Sequence, residues 1–566
     1  MTVAASADSA DLVVVGGGIA GLAAARRAAL SGARVVVLEA GDRVGGMLRA
    51  ATLGTGGGAG DNAPELVVDI GAEAFAVRGG AVERWLGELG LAGETVEPLA
   101  RGSWGYADGE AYPLPKTGLL GIPAHAGAPD VRAALGVEGA ARAAADAMLT
   151  PDVGSQAGSL AELARVRMGD LVVDRLVAPV ARGVYSTDPA LLDHRRIAPG
   201  LADAIATAGT LGLAVAGLRS AAPPGAAVRG FRGGMWRIVG ALAEELSRLG
   251  ADVRTGTRVA SLRRLDHTWN IDLADGGRLR ADAVLLTVDP AANGIDVDGL
   301  GVPTGDRVGT ADQATAGAPI GDGGAESLRA GEPITPAEVV AVAVEAPELD
   351  AFPRGTGVLV GDPPGEVSAK ALTHVTAKWD WLAERVPAGM HVLRLSYGSG
   401  LPRHVARRPR RTSSSAASDS AAAVFPARGA AGFGGGSGTF AGSGTARRAS
   451  GADAREDAAP LTRGLGGDEL ADLALRDASE LLDVPLERTR LRALARREWR
   501  IPYPAARIGR ADELDALRDR AADLPAFGVA GTWIDGTGLA TVVPAAERAA
   551  EALLGPSSEG PARETA

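Results

Sequence analysis

Three glycines and one glutamate near the start of the chain have the types and spacing of a nucleotide-binding turn. Gly16, Gly18 and Gly21 separate a β-branched run from an alanine-rich, helix-compatible run, and Glu39 ends a second β-branched run about 20 residues later. The first glycine permits a tight bend, the second lets a diphosphate approach the backbone, and the third lets helix and strand pack closely. Helix N-terminal N–H groups attract phosphate, and the glutamate can accept hydrogen bonds from a ribose. The sequence therefore predicts a dinucleotide site.

These residues need a parallel sheet to position them. The order strand, turn, helix, strand over residues 11–38 is typical of a doubly wound α/β sheet. Residues 135–219 have a mostly helical pattern, and further helices are predicted at about 235–249 and 468–482. Strand-like runs lie between residues 253 and 288. The chain has 566 residues, which is the length of about two to four domains.

The composition excludes several kinds of chemistry. The chain has no cysteine, so it has no disulfide, thiolate nucleophile, cysteine-ligated metal centre or cysteinyl bond to a cofactor. Its six histidines lack metal-ligand spacing, and we predict no metal site. The net charge of −11 argues against a nucleic-acid partner, which usually needs a basic patch. Lysine occurs only at positions 116, 370 and 378, so nearly all of the 58 basic residues are arginine.

No segment has the pattern of a targeting or membrane-spanning element. The first ten residues carry no basic run, which argues against a secretory signal. The uncharged, Ala- and Gly-rich stretch at residues 204–218 is shorter than the roughly 20 residues that a spanning helix needs. We therefore expect a cytoplasmic protein with at most peripheral membrane contact.

Two internal stretches and the end of the chain have compositions that do not support a packed core. Residues 299–333 are rich in Gly, Asp, Thr and Ala, and residues 407–450 are almost entirely Arg, Ser, Ala, Gly and Thr. Such segments bury too little apolar area to offset the entropy of ordering them. We predict two disordered insertions, at about 299–333 and 407–450, and a disordered tail at 557–566.

The segment that starts at Glu39 indicates which dinucleotide is bound. Residues 39–46 read Glu-Ala-Gly-Asp-Arg-Val-Gly-Gly and resemble the motif of the FAD-dependent amine oxidase and porphyrinogen oxidase superfamily. In that superfamily the arginine and the glycine pair lie along the flavin diphosphate. Residues 528–538 match the segment with which the superfamily returns to the flavin, which implies an FAD-binding domain built from separate pieces of chain. Without cysteine, the expected FAD is bound non-covalently.

The middle of the chain resembles one branch of that superfamily, the oxygen-dependent protoporphyrinogen and coproporphyrinogen III oxidases of haem biosynthesis. The matching segments are residues 68–75, 111–116, 121–123, 176–185, 231–235 and 497–504. The most diagnostic of them reads Leu-Val-Ala-Pro-Val-Ala-Arg-Gly-Val-Tyr. Amine oxidases share the FAD motifs but not these middle segments.

The resemblance implies an α/β fold with three parts. These are a discontinuous Rossmann-like FAD-binding domain of the glutathione-reductase type, a mixed-sheet substrate domain and a helical subdomain. The FAD-binding domain is expected at residues 8–88, 230–298 and 496–556. The helical subdomain, with part of the substrate domain, is expected at 89–229, and the rest of the substrate domain at 299–495.

The FAD contacts of the family carry over to matching positions of this sequence. They are Gly16, Gly17, Gly18, Ile19, Ala20, Gly21, Glu39, Arg43, Gly46, Met47, Gly71, Ala72, Glu73, Ala74, Val259, Thr532, Thr537, Gly538 and Leu539. The match has one departure near its end. The family commonly has Pro-Asp-Cys after the last glycines, where this chain has Ala-Thr-Val at residues 540–542.

The substrate site matches the family less directly. Mitochondrial members place an arginine, assigned to a substrate propionate, where this chain has Ser103. Another cation must then supply the positive charge, and the candidates are Arg101, Lys116, Arg182 and Lys378. Gly183 is a further candidate, because a flat macrocycle needs close approach to the backbone; the alternative is a glycine that only ends a helix.

The activity that the resemblance implies is oxidation of coproporphyrinogen III to coproporphyrin III, with hydride transfer to flavin N5 and release of hydrogen peroxide. The cofactor carries the difficult step, so no protein group is assigned as a general base and the catalytic residues stay unknown. The product would pass to a ferrochelatase. The alternatives are a protoporphyrinogen IX oxidase, a flavin oxidase of amines or polyenes, and a binding protein without redox turnover.

Overall fold

A computed structural model describes residues 9–54, 65–219, 228–301, 334–398, 462, 464–502 and 504–555. The predicted insertion at 407–450 and the predicted tail at 557–566 lie outside these residues. So does the predicted insertion at 299–333, apart from its first three positions.

An eight-stranded sheet contains the predicted nucleotide-binding turn. Its central pairs are parallel, and the strand after the turn, Val35–Leu38, lies beside the strand before it. In spatial order the strands are Asp252–Arg254, Val35–Leu38, Ser9–Val15, Arg278–Leu286, Thr268–Leu273, Val259–Leu265 and Asp296–Val297, with Phe527–Val529 also paired to Arg278–Leu286. The prediction of a discontinuous α/β fold is therefore confirmed, because strands from three separate parts of the chain build one sheet.

Helices cover both faces of this sheet. They are needed there because successive side chains of a strand point to opposite faces, and here both sets of side chains are apolar. In Ser9–Val15, Leu12 and Val14 face one hydrophobic cluster, whereas Val13 and Val15 face another. The first cluster contains residues of the helices Ile19–Leu30, Ala81–Glu88, Arg237–Arg248 and Leu539–Leu554, and the second contains residues of the helix Arg510–Ala522. The facing surfaces of the first and last helices consist mainly of alanine, which lets them pack closely in a chain with few aromatic residues.

A seven-stranded mixed sheet forms the centre of the second part. In spatial order its strands are Leu491–Pro502, Ile334–Glu345, Met390–Gly398, Ala371–His374, Gly357–Val360, Trp104–Ala107 and Glu110–Pro113. All neighbours are antiparallel except Gly357–Val360 and Trp104–Ala107. The helix Gly467–Leu482 packs on one face.

One predicted domain boundary needs correction. The prediction ended the substrate domain at residue 495 and began the last FAD-binding segment at 496. The strand Leu491–Pro502 crosses this boundary and pairs with Ile334–Glu345 along most of its length. Because a strand hydrogen-bonded along its length belongs to one sheet, residues 496–502 are part of the seven-stranded sheet.

Helices dominate residues 129–218. They are Pro129–Ala144, Leu160–Met168, Asp170–Val172, Ala178–Tyr185, His194–Ile197, Leu201–Ala208 and Leu211–Leu218, with a π-helical turn at Val173–Val177. A buried ion pair between Arg167 and Asp146, at 2.6 Å, ties this region together. Within the described ranges, no helix is both long and apolar enough to cross a membrane.

Short strands connect the larger parts. The strands Ala50–Leu53 and Leu66–Asp69 form a hairpin, and Phe75–Ala76, Val228–Phe231 and Thr95–Val96 form a small sheet. The strands Gly118–Leu119 and Ile122–Pro123 form a second hairpin. Asp69 accepts hydrogen bonds from the backbone N–H groups of Met235 (2.9 Å) and Trp236 (3.2 Å), so it joins the first two segments of the predicted FAD-binding domain.

Candidate functional site

The three glycines of the predicted turn have two different roles in the structure. A methyl group on Gly16 would stand 2.6 Å from the Thr287 hydroxyl, and one on Gly21 would stand 1.9 Å from the Gly16 carbonyl oxygen. Both glycines are therefore required by packing within the protein. A methyl group on Gly18 would meet nothing within 4 Å. Gly18 thus leaves open space at the N-terminus of the helix that starts at Ile19, where N–H groups lack helical partners.

Glu39 holds the turn and also lines a cavity. Its two carboxylate oxygens accept hydrogen bonds from the backbone N–H groups of Gly17 (2.8 Å) and Gly41 (2.7 Å). Each oxygen keeps a second lone pair, so the carboxylate can still accept hydrogen bonds from a ribose. The adjacent pocket, about 380 Å³ when its opening to solvent is included, is lined by Val15, Gly16, Leu38, Glu39, Ala40, Thr257, Arg258, Val259, Val288, Asn293 and Ile295. Its position between Glu39 and Val259 suits an adenosine.

A loop that contains the second glycine pair lies along the turn. The Gly45 N–H donates to the Gly17 carbonyl oxygen at 2.7 Å, and a methyl group on Gly46 would stand 3.2 Å from the Cα atom of Gly18. The next residue, Met47, accepts a hydrogen bond from the Ala72 N–H at 2.9 Å. These contacts bring together predicted cofactor residues from three parts of the sequence: 16–21, 39–47 and 71–74.

Three arginines form a basic cluster beside this loop, of which only Arg43 was predicted. Burial, followed by the charges of Arg497 and Arg43, lowers the pKa of Arg49, although the carboxylates of Asp42, at 3.8 Å, and of Glu39 act in the opposite direction. The buried Nε atom of Arg497 has no hydrogen-bond partner among the described residues. Cations crowded together with so little negative charge fit a bound diphosphate, so the residues present are compatible with FAD. The signal that could have found Arg497 is its place in the matching segment 497–504.

The last predicted cofactor segment lies at the ends of two helices. Thr532 begins the short helix Thr532–Asp535, and Leu539 begins the helix Leu539–Leu554. Thr537 and Gly538, which precede Leu539, are exposed, and Gly538 has a φ of +111° with open space around it. An ion pair between Arg27 and Glu551 joins the later turns of the first and last helices, so both helices present their N-termini on the same side.

A partly buried ionic cluster ties the Gly71 turn to the seven-stranded sheet and includes two of the predicted site residues. The Glu73 carboxylate pairs with the Lys378 ammonium and with the Arg394 guanidinium at 3.1 Å, and Arg394 also donates to the Gly71 carbonyl oxygen. Burial raises the pKa of Glu73, but Lys378 and Arg394 outweigh it and hold that pKa below its usual range. The Glu73 side chain is therefore taken up by protein cations and leaves only backbone for the cofactor. Lys378 shares this one carboxylate with Arg394, so the cluster keeps a net positive charge, and the role of Lys378 toward the substrate stays a prediction.

The structure also gives the surroundings of two other predicted substrate residues, Arg182 and Lys116. Arg182 lies between Asp188 and Asp362, each at 2.7 Å, so its charge is compensated within the protein. Lys116 is exposed and has only backbone hydrogen bonds, to Asp130 and Arg219. Of the two partners of Arg182, Asp188 is only six positions away in the sequence, whereas Asp362 is distant and could not be predicted from local patterns.

Three further candidates for the substrate site contact residues in or next to the seven-stranded sheet. The Ser103 hydroxyl lies 3.3 Å from that of Thr356, and the Arg101 guanidinium stacks on the Phe352 ring at 3.4 Å. A methyl group on Gly183 would stand 2.7 Å from the Leu359 side chain, so this glycine lets its helix pack closely on the sheet. Its expected role in close approach to a macrocycle stays a prediction.

One face of the seven-stranded sheet is only half-buried. On the strand Met390–Gly398, alternate residues are buried against the helix Gly467–Leu482, whereas Arg394 and its neighbours on the other face are half-buried. Ala371 pairs with Ser396, and Leu359 pairs with Ala371, so these residues of the two adjacent strands lie on the same second face. We call its half-buried uncharged positions the floor: Leu359, Ala371, Thr373, Ser396 and Gly398. Because Arg394 reaches Gly71, the floor faces the predicted cofactor segment.

Comparison with known proteins gives the family. The sequence model described as flavin containing amine oxidoreductase matches residues 19–303, about half of the chain. The coproporphyrinogen III oxidase of Mycobacterium tuberculosis (strain ATCC 25618 / H37Rv) is 32% identical over 395 residues, which cover 68% of this chain and 76% of that protein. The coproporphyrinogen III oxidase of Bacillus subtilis (strain 168) is 27% identical over 296 residues, with coverage of 49% and 59%.

Solved structures support the same fold. A protein from Exiguobacterium sp. 255-15 assigned as a protoporphyrinogen oxidase has a TM-score of 0.68 and 20% identity, covering 97% of this chain and 99% of that chain. Cyclohexylamine oxidase from Brevibacterium oxydans IH-35A has a TM-score of 0.54 and 15% identity, with coverage of 97% and 99%. FAD is the cofactor that the family implies. The chain belongs to the FAD-dependent protoporphyrinogen and coproporphyrinogen III oxidases, within the flavin-containing amine oxidoreductases.

Proposed function

We propose that the protein is an oxygen-dependent coproporphyrinogen III oxidase. The observation that carries the proposal is the floor, a half-buried and largely apolar face of the seven-stranded sheet opposite the Gly71 turn. Its lining by small or aliphatic side chains suits a flat macrocycle. The relatives named as coproporphyrinogen III oxidases support this substrate over protoporphyrinogen IX. The proposal includes a cytoplasmic site and transfer of the product to a ferrochelatase.

The chain's contribution to this reaction is binding and orientation. When bound, FAD accepts a hydride from a meso carbon at N5, and its reoxidation by molecular oxygen yields hydrogen peroxide. Three such two-electron steps convert a porphyrinogen to a porphyrin, with three molecules of oxygen consumed. In the proposed arrangement Glu39 holds the adenosine ribose, while Gly18 and the cluster of Arg43, Arg49 and Arg497 hold the diphosphate. The Glu73–Lys378–Arg394 cluster fixes the floor relative to the Gly71 turn.

A Gly18→Ala substitution tests the binding part of the proposal. Because a methyl group fits at Gly18 and its φ is −69°, the protein should fold with unchanged stability. The same methyl group would displace a diphosphate from the helix N-terminus, so FAD affinity should fall about 10- to 100-fold, the value of a charge-assisted hydrogen bond. Fluorescence titration of the apoprotein with FAD measures this. Gly87→Ala, in a helix with equal free space, is the control and should bind FAD normally.

A side-by-side assay tests the activity. Protein loaded with FAD is mixed with coproporphyrinogen III, with protoporphyrinogen IX and with a panel of amines, while porphyrin fluorescence and oxygen uptake are recorded. We expect fluorescent product from coproporphyrinogen III at the highest rate, with about three oxygen molecules consumed per porphyrin. Faster turnover of protoporphyrinogen IX would shift the substrate assignment. Oxygen uptake with amines alone would refute porphyrinogen oxidation.

A further inference from the structure

Lys370 is a half-buried cation whose only hydrogen-bond partner in the described residues is neutral. Its ammonium donates to the Ser186 hydroxyl at 3.0 Å, and no carboxylate of the described chain pairs with it. The neighbouring cations, in contrast, have carboxylate partners. Lys378 and Arg394 share Glu73, and Arg182 has two aspartates. Lys370 therefore has a positive charge that remains available to a ligand.

The ammonium of Lys370 lies at the edge of the floor. A methyl group on Gly398, which belongs to the floor, would stand 3.3 Å from Nζ, so the lysine side chain crosses that position. On its other side is Ser186, the residue that ends the helix Ala178–Tyr185, and this helix packs against Leu359 of the floor through Gly183. The charge thus stands where a substituent at the rim of a macrocycle on the floor would reach.

We propose that Lys370 binds a propionate carboxylate of the porphyrinogen and is a specificity-determining residue of this site. The inference rests on the proposed function and adds the group that recognises the substrate's charge. A half-buried ammonium without a counter-ion is unfavourable, and a bound carboxylate would relieve that cost. Burial lowers the pKa of Lys370 to about 8, which still leaves most of it protonated at pH 7.

The first experiment compares binding of coproporphyrin III and its tetramethyl ester to the FAD-loaded protein. We expect Lys370→Met to weaken binding of the free acid about 10-fold or more and binding of the ester little, because the ester has no carboxylate. Lys370→Arg should restore binding of the acid to within about threefold of the unmodified protein. In turnover, Lys370→Met should raise the KM for coproporphyrinogen III and leave kcat nearly unchanged. Arg248→Met, which removes an exposed cation at the end of the helix Arg237–Arg248, is the matched control.

The second measurement needs no variant and covers the case in which Lys370→Met does not fold. Among the described residues, the neighbours of the ammonium are the Ser186 hydroxyl and the Gly398 backbone, neither of which titrates in this range. Between pH 7 and pH 9, affinity of the unmodified protein for the free acid should therefore fall about tenfold more than affinity for the ester.

Each outcome decides between the acid-binding role and a structural one. Equal loss of acid and ester binding in Lys370→Met would assign the lysine to packing and overturn the proposal, as would an acid-to-ester ratio that does not change with pH. An unmodified protein that oxidises no porphyrinogen refutes the proposed function instead. Turnover of coproporphyrinogen III with an unchanged KM in Lys370→Met refutes only the role of Lys370.

Discussion

A Glu73→Gln variant is expected to lose about 3 kcal/mol of its free energy of unfolding, the lower end of the range for breaking a buried ion pair. The exposed fractions of the Glu73, Lys378 and Arg394 side chains are 15%, 18% and 13%, so water screens this cluster only weakly. Removing the single carboxylate leaves the Lys378 and Arg394 cations close together without a counter-ion. Urea unfolding of the FAD-loaded protein at pH 7 measures the loss.

A second substitution separates charge from packing. If the loss in Glu73→Gln arises from uncompensated cations, then adding Lys378→Met should recover part of it, because one of the two cations is removed. The matched control is Glu348→Gln, in which the pair with Arg490 is exposed and the stability should hardly change. No recovery in the double variant would show that the shape of Glu73, not its charge, stabilises the cluster.

The stabilisation of the folded protein by the Glu73 carboxylate should decrease at low pH. Because the pKa of Glu73 is lowered in the folded protein, its stabilisation is complete above the ordinary glutamate pKa of about 4.3. It is lost as the pH falls from there through the folded pKa. The difference in stability between the unmodified protein and Glu73→Gln should therefore be constant near neutrality and shrink below about pH 4.

Local patterns were sufficient to predict the cofactor turn and several helices. The glycine spacing at 16–21 encodes a bend and a close contact between helix and strand, although Gly16 also packs against the distant Thr287. The helices predicted at about 235–249 and 468–482 are Arg237–Arg248 and Gly467–Leu482 in the structure. Each has an apolar stripe at helical spacing, and such a stripe is a property of the segment itself.

Charge pairing could not be predicted in the same way. Lys378 drew attention because lysine is scarce, yet its partner Glu73 is 305 positions away in the sequence. The scarcity of lysine does not indicate a substrate role for Lys370. Its place at the floor depends on the register between the strands Ala371–His374 and Met390–Gly398. The boundary at 495 failed for a related reason: the partner of Leu491–Pro502 is a strand more than a hundred residues earlier.

A Glu39→Ala variant is expected to bind FAD on the order of 100-fold more weakly. The carboxylate would lose two charge-assisted hydrogen bonds to the ribose hydroxyls, each of about 1.5–3 kcal/mol, or about a factor of 10 or more. It also holds the N–H groups of Gly17 and Gly41, so its removal loosens the turn as well. Titration of the apoprotein with FAD measures the total effect but does not separate these two causes.

Comparison of FAD with FMN separates them, because FMN has the flavin and one phosphate but no adenosine. If Glu39 acts on the ribose beside Val259, then Glu39→Ala should weaken FAD binding and leave the weaker binding of FMN nearly unchanged. If its main role is to order the turn through Gly17, both cofactors should lose affinity by a similar factor. Gly18→Ala is the reference for a loss of affinity for both cofactors. Its methyl group should disturb the contacts with phosphate directly, and FAD and FMN both contain phosphate. Equal FAD affinity in Glu39→Ala and the unmodified protein would remove Glu39 from the cofactor site altogether.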